Sequence, residues 1–240
     1  MLDTEPLESF SHSVVFVFEA TRMRVSNRSA PVIEYTTQTT IGGCSGSSAS
    51  HIKEIPFNQE SELSRVGDQR AACVVFTAAW LDRIRHYAHS GEARIDHMRH
   101  RGTLEDIAGR QQIYRNHEIN NPRTPYNILF SPTFRNYSLQ LSPARVLDIV
   151  SDEDQAMETM ANTLREANSS HVLVVVRANG DNHAIATHST GNKLHVFDPN
   201  HGEYSFRSDI GTVKESMREI IQAYSSRFPV PEIHVLPARS

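Results

Sequence analysis

The sequence is short of several features that would have set its class at once. It has two cysteines in 240 residues, too few for the disulfide framework of a secreted miniprotein, so Cys44 and Cys73 are read one at a time. Its longest apolar runs are VVFVF at 14–18, VVFTAAWL at 74–81 and VLVVV at 172–176. All fall far below the roughly 18–20 residues that cross a bilayer. The first residues are acidic and lack a basic segment ahead of an apolar one, which speaks against a secretory signal peptide. There is no Lys/Arg block, and the formal net charge is −4, so nucleic acid is not an expected partner. Metal-ligand spacing is missing as well. Thirteen histidines are present, His97 and His100 among them, but none stands in an H-E-x-x-H motif or beside a cysteine set. His183 and His188 would point to opposite faces of one strand. No metal site is expected, and no internal repeat occurs.

What remains is a soluble composition, 38% apolar and 22% charged, in a chain long enough for one well-buried domain behind a tail. Residues 1–60 are loosely patterned: eleven of the first 42 are Ser or Thr, and GGCSGSSAS reads as flexible linker. CVVFTAAWLDRIRHY (73–87) is apolar on nearly every side up to Leu81 and amphipathic after Asp82, the pattern of a helix whose first half lies in the core. Residues 90–145 read as irregular, with a helix near 103–116. SDEDQAMETMANTLREAN (151–168) is an amphipathic helix with Ser151 and Asp154 as a capping pair and Met157, Met160, Ala161 and Leu164 as its apolar stripe. The period then changes to two. HVLVVVRA, NHAIATHS, KLHVFDPN and GEYSFRS read as four strands with turns at Asn179-Gly180, at Gly191-Asn192 and near Gly202. A helix over about 212–225 and a last strand, EIHVLPA, complete the order. Helices and strands segregated in this way indicate an α+β fold, with a helix that begins at Cys73 packed on an antiparallel sheet of four to five strands.

Two groups of residues suggest chemistry. Cys73 stands where the polar approach RVGDQRAA meets the apolar helix. A helix start favours a thiolate, although a cysteine there also serves simply as core. Downstream, a hairpin with its turn at 191–192 would set Ile185 or Thr187 opposite Leu194 or Val196, and His183 level with about Asp198 or Asn200. An imidazole beside a carboxylate is either a surface hydrogen bond or the base and orienter of a nucleophile. Trp80 reads as core more readily than as a substrate contact. Asn182 is either a turn residue or part of a site lining.

Taken together, the cysteine that opens CVVFTAAW, the histidine of HAIATH 110 residues later and the aspartate of FDPNHGEY a further 15 on resemble the YopT/AvrPphB family of papain-like cysteine proteases. The likeness covers roughly 66–210. It implies Cys73 as nucleophile, His183 as general base and then acid, and Asp198 as the group that orients the imidazole, with no cofactor. It also implies an oxyanion site made by the Cys73 N–H and a side chain shortly before it. Gln69 can donate there, whereas an ionised Asp68 cannot.

The family consists of type III secreted effectors of bacteria that live on or in eukaryotic hosts. That implies a host protein as substrate, of the kinase or small GTPase class, and a partition into a secretion and processing tail (1–42), a linker (43–60) and the protease domain (61–240). Some members cut themselves to expose Gly-Cys, which host enzymes then acylate. GGCSGSS fits this, with cleavage between Gly42 and Gly43, myristate on Gly43 and palmitate on Cys44; the doubly anchored chain would sit on the host plasma membrane, and an unprocessed one in the host cytoplasm. Thr40-Ile41-Gly42 departs from the Gly-Asp-Lys that precedes the cut in AvrPphB-like members, and an uncut linker is the other reading. Two further functions share these residues: an acyltransferase, transglutaminase or deamidase on the same fold, and a non-catalytic, membrane-docked binding module.

Overall fold

A computed structural model describes residues 53–68, 70–87, 90–225 and 229–240. Gly42, Gly43, Cys44 and Gln69 lie outside the described residues.

The apolar run at 172–176 explains the centre of the fold. Strand β4 (Ser170–Val176) is buried at five consecutive positions, which requires cover on both faces of a sheet. Alternate side chains divide between two cores. Val172 and Val174 join Ala184, Ala186 and Phe197 on one face, and Leu173 and Val175 join Ile185, Leu194 and Val196 on the other. Strands β5 (His183–Ser189), β6 (Lys193–Asp198) and β7 (Gly202–Arg207) follow as hairpins. β8 (Glu232–Arg239) pairs antiparallel with β4 along its length.

The first face is covered by α2 (Cys73–His86), α3 (Gly91–Arg99) and α4 (Arg101–Asn120), with the short helices α1 (Gln59–Ser64), α5 (Tyr126–Leu129) and α6 (Ser131–Arg135) around them. The second face is covered by α7 (Glu153–Leu164) and α8 (Ile210–Ser225), which bury Met157, Met160, Ala161 and Leu164 from one helix and Val213, Met217, Ile221 and Tyr224 from the other. This is the expected α+β class, and every strand pairing among the described residues is antiparallel.

Three expectations need correction. The sheet has eight strands rather than four or five: β1 (Lys53–Pro56), β2 (Gln140–Leu141) and β3 (Arg145–Asp148) extend it at its edges. Each is four residues or fewer, too short to show a period of two. β1 and the start of α1 also lie inside 43–60, whose composition reads as linker. Next, much of 90–145 is helical. In α4 the buried stripe is Leu104, Ile107, Gln111 and Tyr114, while Ile113 and Ile119 are exposed; a polar residue inside the stripe and apolar ones outside it erase the amphipathic signal. Finally, the cap of α7 is Asp152, which accepts from the Gln155 N–H at 3.0 Å. Ser151 instead donates to the Asp148 carboxylate.

Gly202 joins β1 to the rest. It pairs with Pro56 on one side and Asp198 on the other. Its φ is +125°, and a Cβ there would lie 2.1 Å from the Ile55 carbonyl oxygen, a backbone atom that cannot move without displacing the strand. Gly202→Ala is expected to cost at least about 1–3 kcal/mol in backbone strain and to detach β1. Amide hydrogen exchange at Ile55 and a urea titration would show both effects; protected amides in a stable variant would refute the steric reading.

Candidate active site

Cys73 is the first residue of α2, and Ala72, the N-cap, offers no side-chain cap hydrogen bond. The helix start therefore keeps its donors for another acceptor. Burial of the next two turns anchors the helix: Val74 to Leu81 are all buried, and the Thr77 hydroxyl donates to the Ala184 carbonyl at 3.2 Å. That contact sets the helix start against the beginning of β5. Cys73 itself is only half-buried, so its thiol sits where the core opens to solvent.

His183 begins β5 and Asp198 ends β6. The β5–β6 ladder sets Ala186 opposite Phe197 and Thr187 opposite Val196; continued, it puts His183 level with Asn200, as one of the two expected registers has it. The imidazole then reaches Asp198 diagonally, Nε2 to Oδ1 at 2.9 Å. Both side chains are buried. Cys73 is a close enough neighbour of the same imidazole to help raise its pKa, and with Nε2 engaged by Asp198, Nδ1 is the nitrogen left to face the thiol. The structure thus brings together the three residues singled out from the sequence.

The electrostatics follow from burial and pairing. Burial opposes a charge on His183, but the Asp198 carboxylate and then Cys73 outweigh it, and its pKa is pushed up to about 10. Burial likewise opposes the charge on Asp198, yet the His183 imidazolium, His201 and the Tyr224 hydroxyl hold its carboxyl below the usual range. Asp198 also accepts the Asn200 N–H at 2.9 Å.

Other sequence-derived candidates sort cleanly. Asp68 is locked to Arg70, whose side chain and backbone N–H both donate to it; its pKa is lowered, with the Arg70 hydrogen bond as the largest cause. An ionised Asp68 offers no donor. Trp80 is core: it is fully buried, stacks on Phe197 at 5.7 Å and donates its Nε1–H to Glu203 at 2.8 Å. Asn182 donates to the Tyr126 hydroxyl at 2.8 Å. Both residues line a cleft of about 660 Å³ that also includes Glu118, Leu129, Val146 and Glu232. Among the described residues no cluster suits a metal ion.

Sequence reasoning missed the supporting residues Gln59, Asn200 and Tyr224. Tyr224 falls on the inward stripe of α8 among apolar residues, and its position as the one aromatic hydroxyl on that stripe was the available signal. Gln59 lies in a segment that reads as linker and gave none.

The pair also fixes a pH dependence of stability. A His183 pKa raised from 6.5 to about 10 contributes stability that is complete below pH 6.5 and is lost as pH rises through 10; the lowered Asp198 pKa contributes stability that is lost as pH falls below the ordinary carboxylate range. The urea midpoint should therefore fall between pH 6.5 and 10, and Asp198→Asn should flatten that slope. Equal slopes in the two proteins would show that the pair is not its source.

Comparison with known proteins agrees with this geometry. Residues 134–228 match the peptidase family described as Yersinia/Haemophilus virulence surface antigen, a stretch that includes His183 and Asp198. A protein named as a YopT-like cysteine protease in Bradyrhizobium diazoefficiens is 32% identical over 75 residues, 31% of this chain and 26% of that protein; the chain thus spans about a quarter of that relative's length. The cysteine protease avirulence protein AvrPphB of Pseudomonas savastanoi pv. phaseolicola is 24% identical over 196 residues, covering 77% of this chain and 72% of its own. The crystal structure of AvrPphB superposes with a TM-score of 0.62 at 20% identity, over 70% of this chain and 92% of that one, which establishes the papain-like α+β fold. By sequence motif and by fold alike, this chain resembles the YopT/AvrPphB type of cysteine protease.

Proposed function

We propose that the chain is a cysteine endopeptidase that acts as a bacterial effector inside a host cell, with Cys73, His183 and Asp198 as its triad. The observation that carries this is a half-exposed cysteine at a helix start, electrostatically coupled to a buried imidazole whose Nε2 is held by a buried carboxylate. His183 takes the thiol proton, and the Cys73 sulfur attacks the scissile carbonyl. The resulting oxyanion is held by the Cys73 N–H and by one further donor; Gln69 is the candidate, since Asp68 is committed to Arg70. The imidazolium gives its proton to the leaving amine, the C–N bond breaks, and a thioester remains. Water, deprotonated by the same imidazole, releases the acid and restores the thiol. The cleft beside Asn182 is the natural seat for a peptide segment.

The first substrate on this reading is the chain itself, cut between Gly42 and Gly43. The product begins Gly-Cys, so that myristate on Gly43 and palmitate on Cys44 give the two anchors that stable attachment to the host plasma membrane requires. Without processing the protein stays in the host cytoplasm. A host protein is the second substrate, of the kinase or small GTPase class by family resemblance. Its cut site should resemble TTIGG, because one cleft serves both.

Full-length wild type and Cys73→Ala, expressed side by side, should differ at their amino termini: Gly43 for the first and Met1 for the second, by Edman sequencing. Residual processing in the mutant should be at least about 10⁴-fold slower, the scale on which removal of a nucleophile acts. Two intact chains would set self-cleavage aside, and a peptide library showing no preference for an apolar residue followed by Gly would set aside the shared cleft.

A further inference from the structure

We infer that Tyr224 is a positioning residue for the His183–Asp198 pair, and that its hydroxyl is the last donor in a one-directional relay of hydrogen bonds that begins at Ala72, next to Cys73, and ends on Asp198. The inference rests on the triad reading above.

Tyr224 reaches the pair from α8, on the sheet face opposite α2. Its ring stacks on the imidazole of His183 with centroids 4.6 Å apart and planes 23° from parallel. Its hydroxyl lies 2.8 Å from Oδ1 and 2.6 Å from Oδ2 of Asp198. A core tyrosine needs some partner for its hydroxyl, and that alone would make it structural. The direction of the proton says more. The Asn200 Nδ2 group donates to the Tyr224 oxygen at 3.3 Å, so the single phenolic proton is left for Asp198. Asn200 is held in that orientation because its Oδ1 accepts from Gln59 Nε2 at 2.5 Å. Gln59 is held in turn because its Oε1 accepts the backbone N–H of Ala72 at 2.8 Å.

A backbone N–H can only donate, so the sense of every bond after it is determined. Ala72 donates to Gln59, Gln59 to Asn200, Asn200 to Tyr224, Tyr224 to Asp198, and the same carboxylate receives Nε2–H of His183. The ring is thereby held with Nε2–H on the carboxylate and Nδ1 turned toward Cys73, the residue next to Ala72, in position to accept and hold the thiol proton. Tyr224 fixes the ring plane through its stack and the carboxylate through its hydroxyl; burial and Asp198 keep the phenol protonated.

Asp198 is faced by His183 from β5, by Asn200 and His201 from the turn after β6, and by Tyr224 from α8. Removal of the phenolic donor takes away a hydrogen bond that favours the charged carboxylate, so protonation of Asp198 should begin at a higher pH.

The test needs no peptide substrate. Full-length protein is treated with iodoacetamide from pH 4 to pH 9, and alkylation of Cys73 and Cys44 is followed separately by peptide mass spectrometry. Cys44, the other thiol in the chain, serves as internal reference. In wild type Cys73 should react faster than Cys44 below pH 7. In Tyr224→Phe, which keeps the stack, the acid limit of that advantage should move up by about one pH unit, the scale of one hydrogen bond to a charged group. Asn200→Ala, which leaves the phenol in place without its polarising donor, should move it in the same direction by less. Thermal midpoints are recorded for all three proteins; if Tyr224→Phe does not fold, Asn200→Ala decides. A wild-type profile in whichever variant decides would make Tyr224 a core residue and overturn the inference while leaving the triad intact. A wild-type Cys73 no faster than Cys44 at any pH would overturn the protease reading and the inference together.

Discussion

The rest of the structure is arranged around keeping a charge on Asp198. A carboxylate with no exposed surface is costly to ionise unless several donors surround it. Here the donors come from three separate elements: His183 at the start of β5, the Asn200 backbone in the turn after β6, and Tyr224 on α8. None of them is local to α2, yet the imidazole they hold meets the thiol at the start of that helix. The charge therefore depends on the sheet order and on helices packed on both faces, and the site exists only when the whole domain is folded.

The FDPNHGEY segment has a separate physical duty at almost every position. Phe197 stacks on Trp80 in the core under α2. Asp198 holds the imidazole. The Pro199 carbonyl accepts the Gln59 N–H at 2.7 Å, which brings α1 alongside. Asn200 links Gln59 to Tyr224. Gly202 lets β1 pass within contact of the backbone. Glu203 is buried with Arg94 and bonded to it and to Trp80, so a second buried ion pair ties α3 and α2 to the sheet. One partner removed from such a pair leaves an uncompensated charge in the core. These two pairs account for why the motif extends beyond Asp198.

The edges of the sheet show how the site is kept accessible. α5, α6 and β2 lie between α4 and β3, and residues of α5 and of the loops on either side of these elements line the cleft next to Asn182. Leu129, Phe130 and Phe134 anchor this segment in the first core, so it shapes the cleft without bearing the charge.

Much of this was legible in the chain. Short runs at 170–207, bounded by turn residues, specified four strands, although β4 and β5 are buried on both faces rather than alternately. The apolar run from Val74 to Leu81 specified a buried helix, and the Gly191-Asn192 turn specified a register that puts His183 near Asp198; these are consequences of periods of 3.6 and 2 and of one turn. Other features had no local signal. β1 to β3 are too short to show a period, α4 carries Gln111 in its buried stripe and isoleucines outside it, and the capping hydrogen bond of α7 falls to Asp152, one residue beyond Ser151. Gln59 and Tyr224 acquire their roles only from the elements beside them, since a side-chain amide or a phenol has no fixed partner until the fold supplies one. The sequence by itself singled out Cys73, His183 and Asp198 as candidates and determined how the central strands pair; only the tertiary structure decided what surrounds the buried charge, because the hydrogen bonds that support its donors join segments up to 141 residues apart.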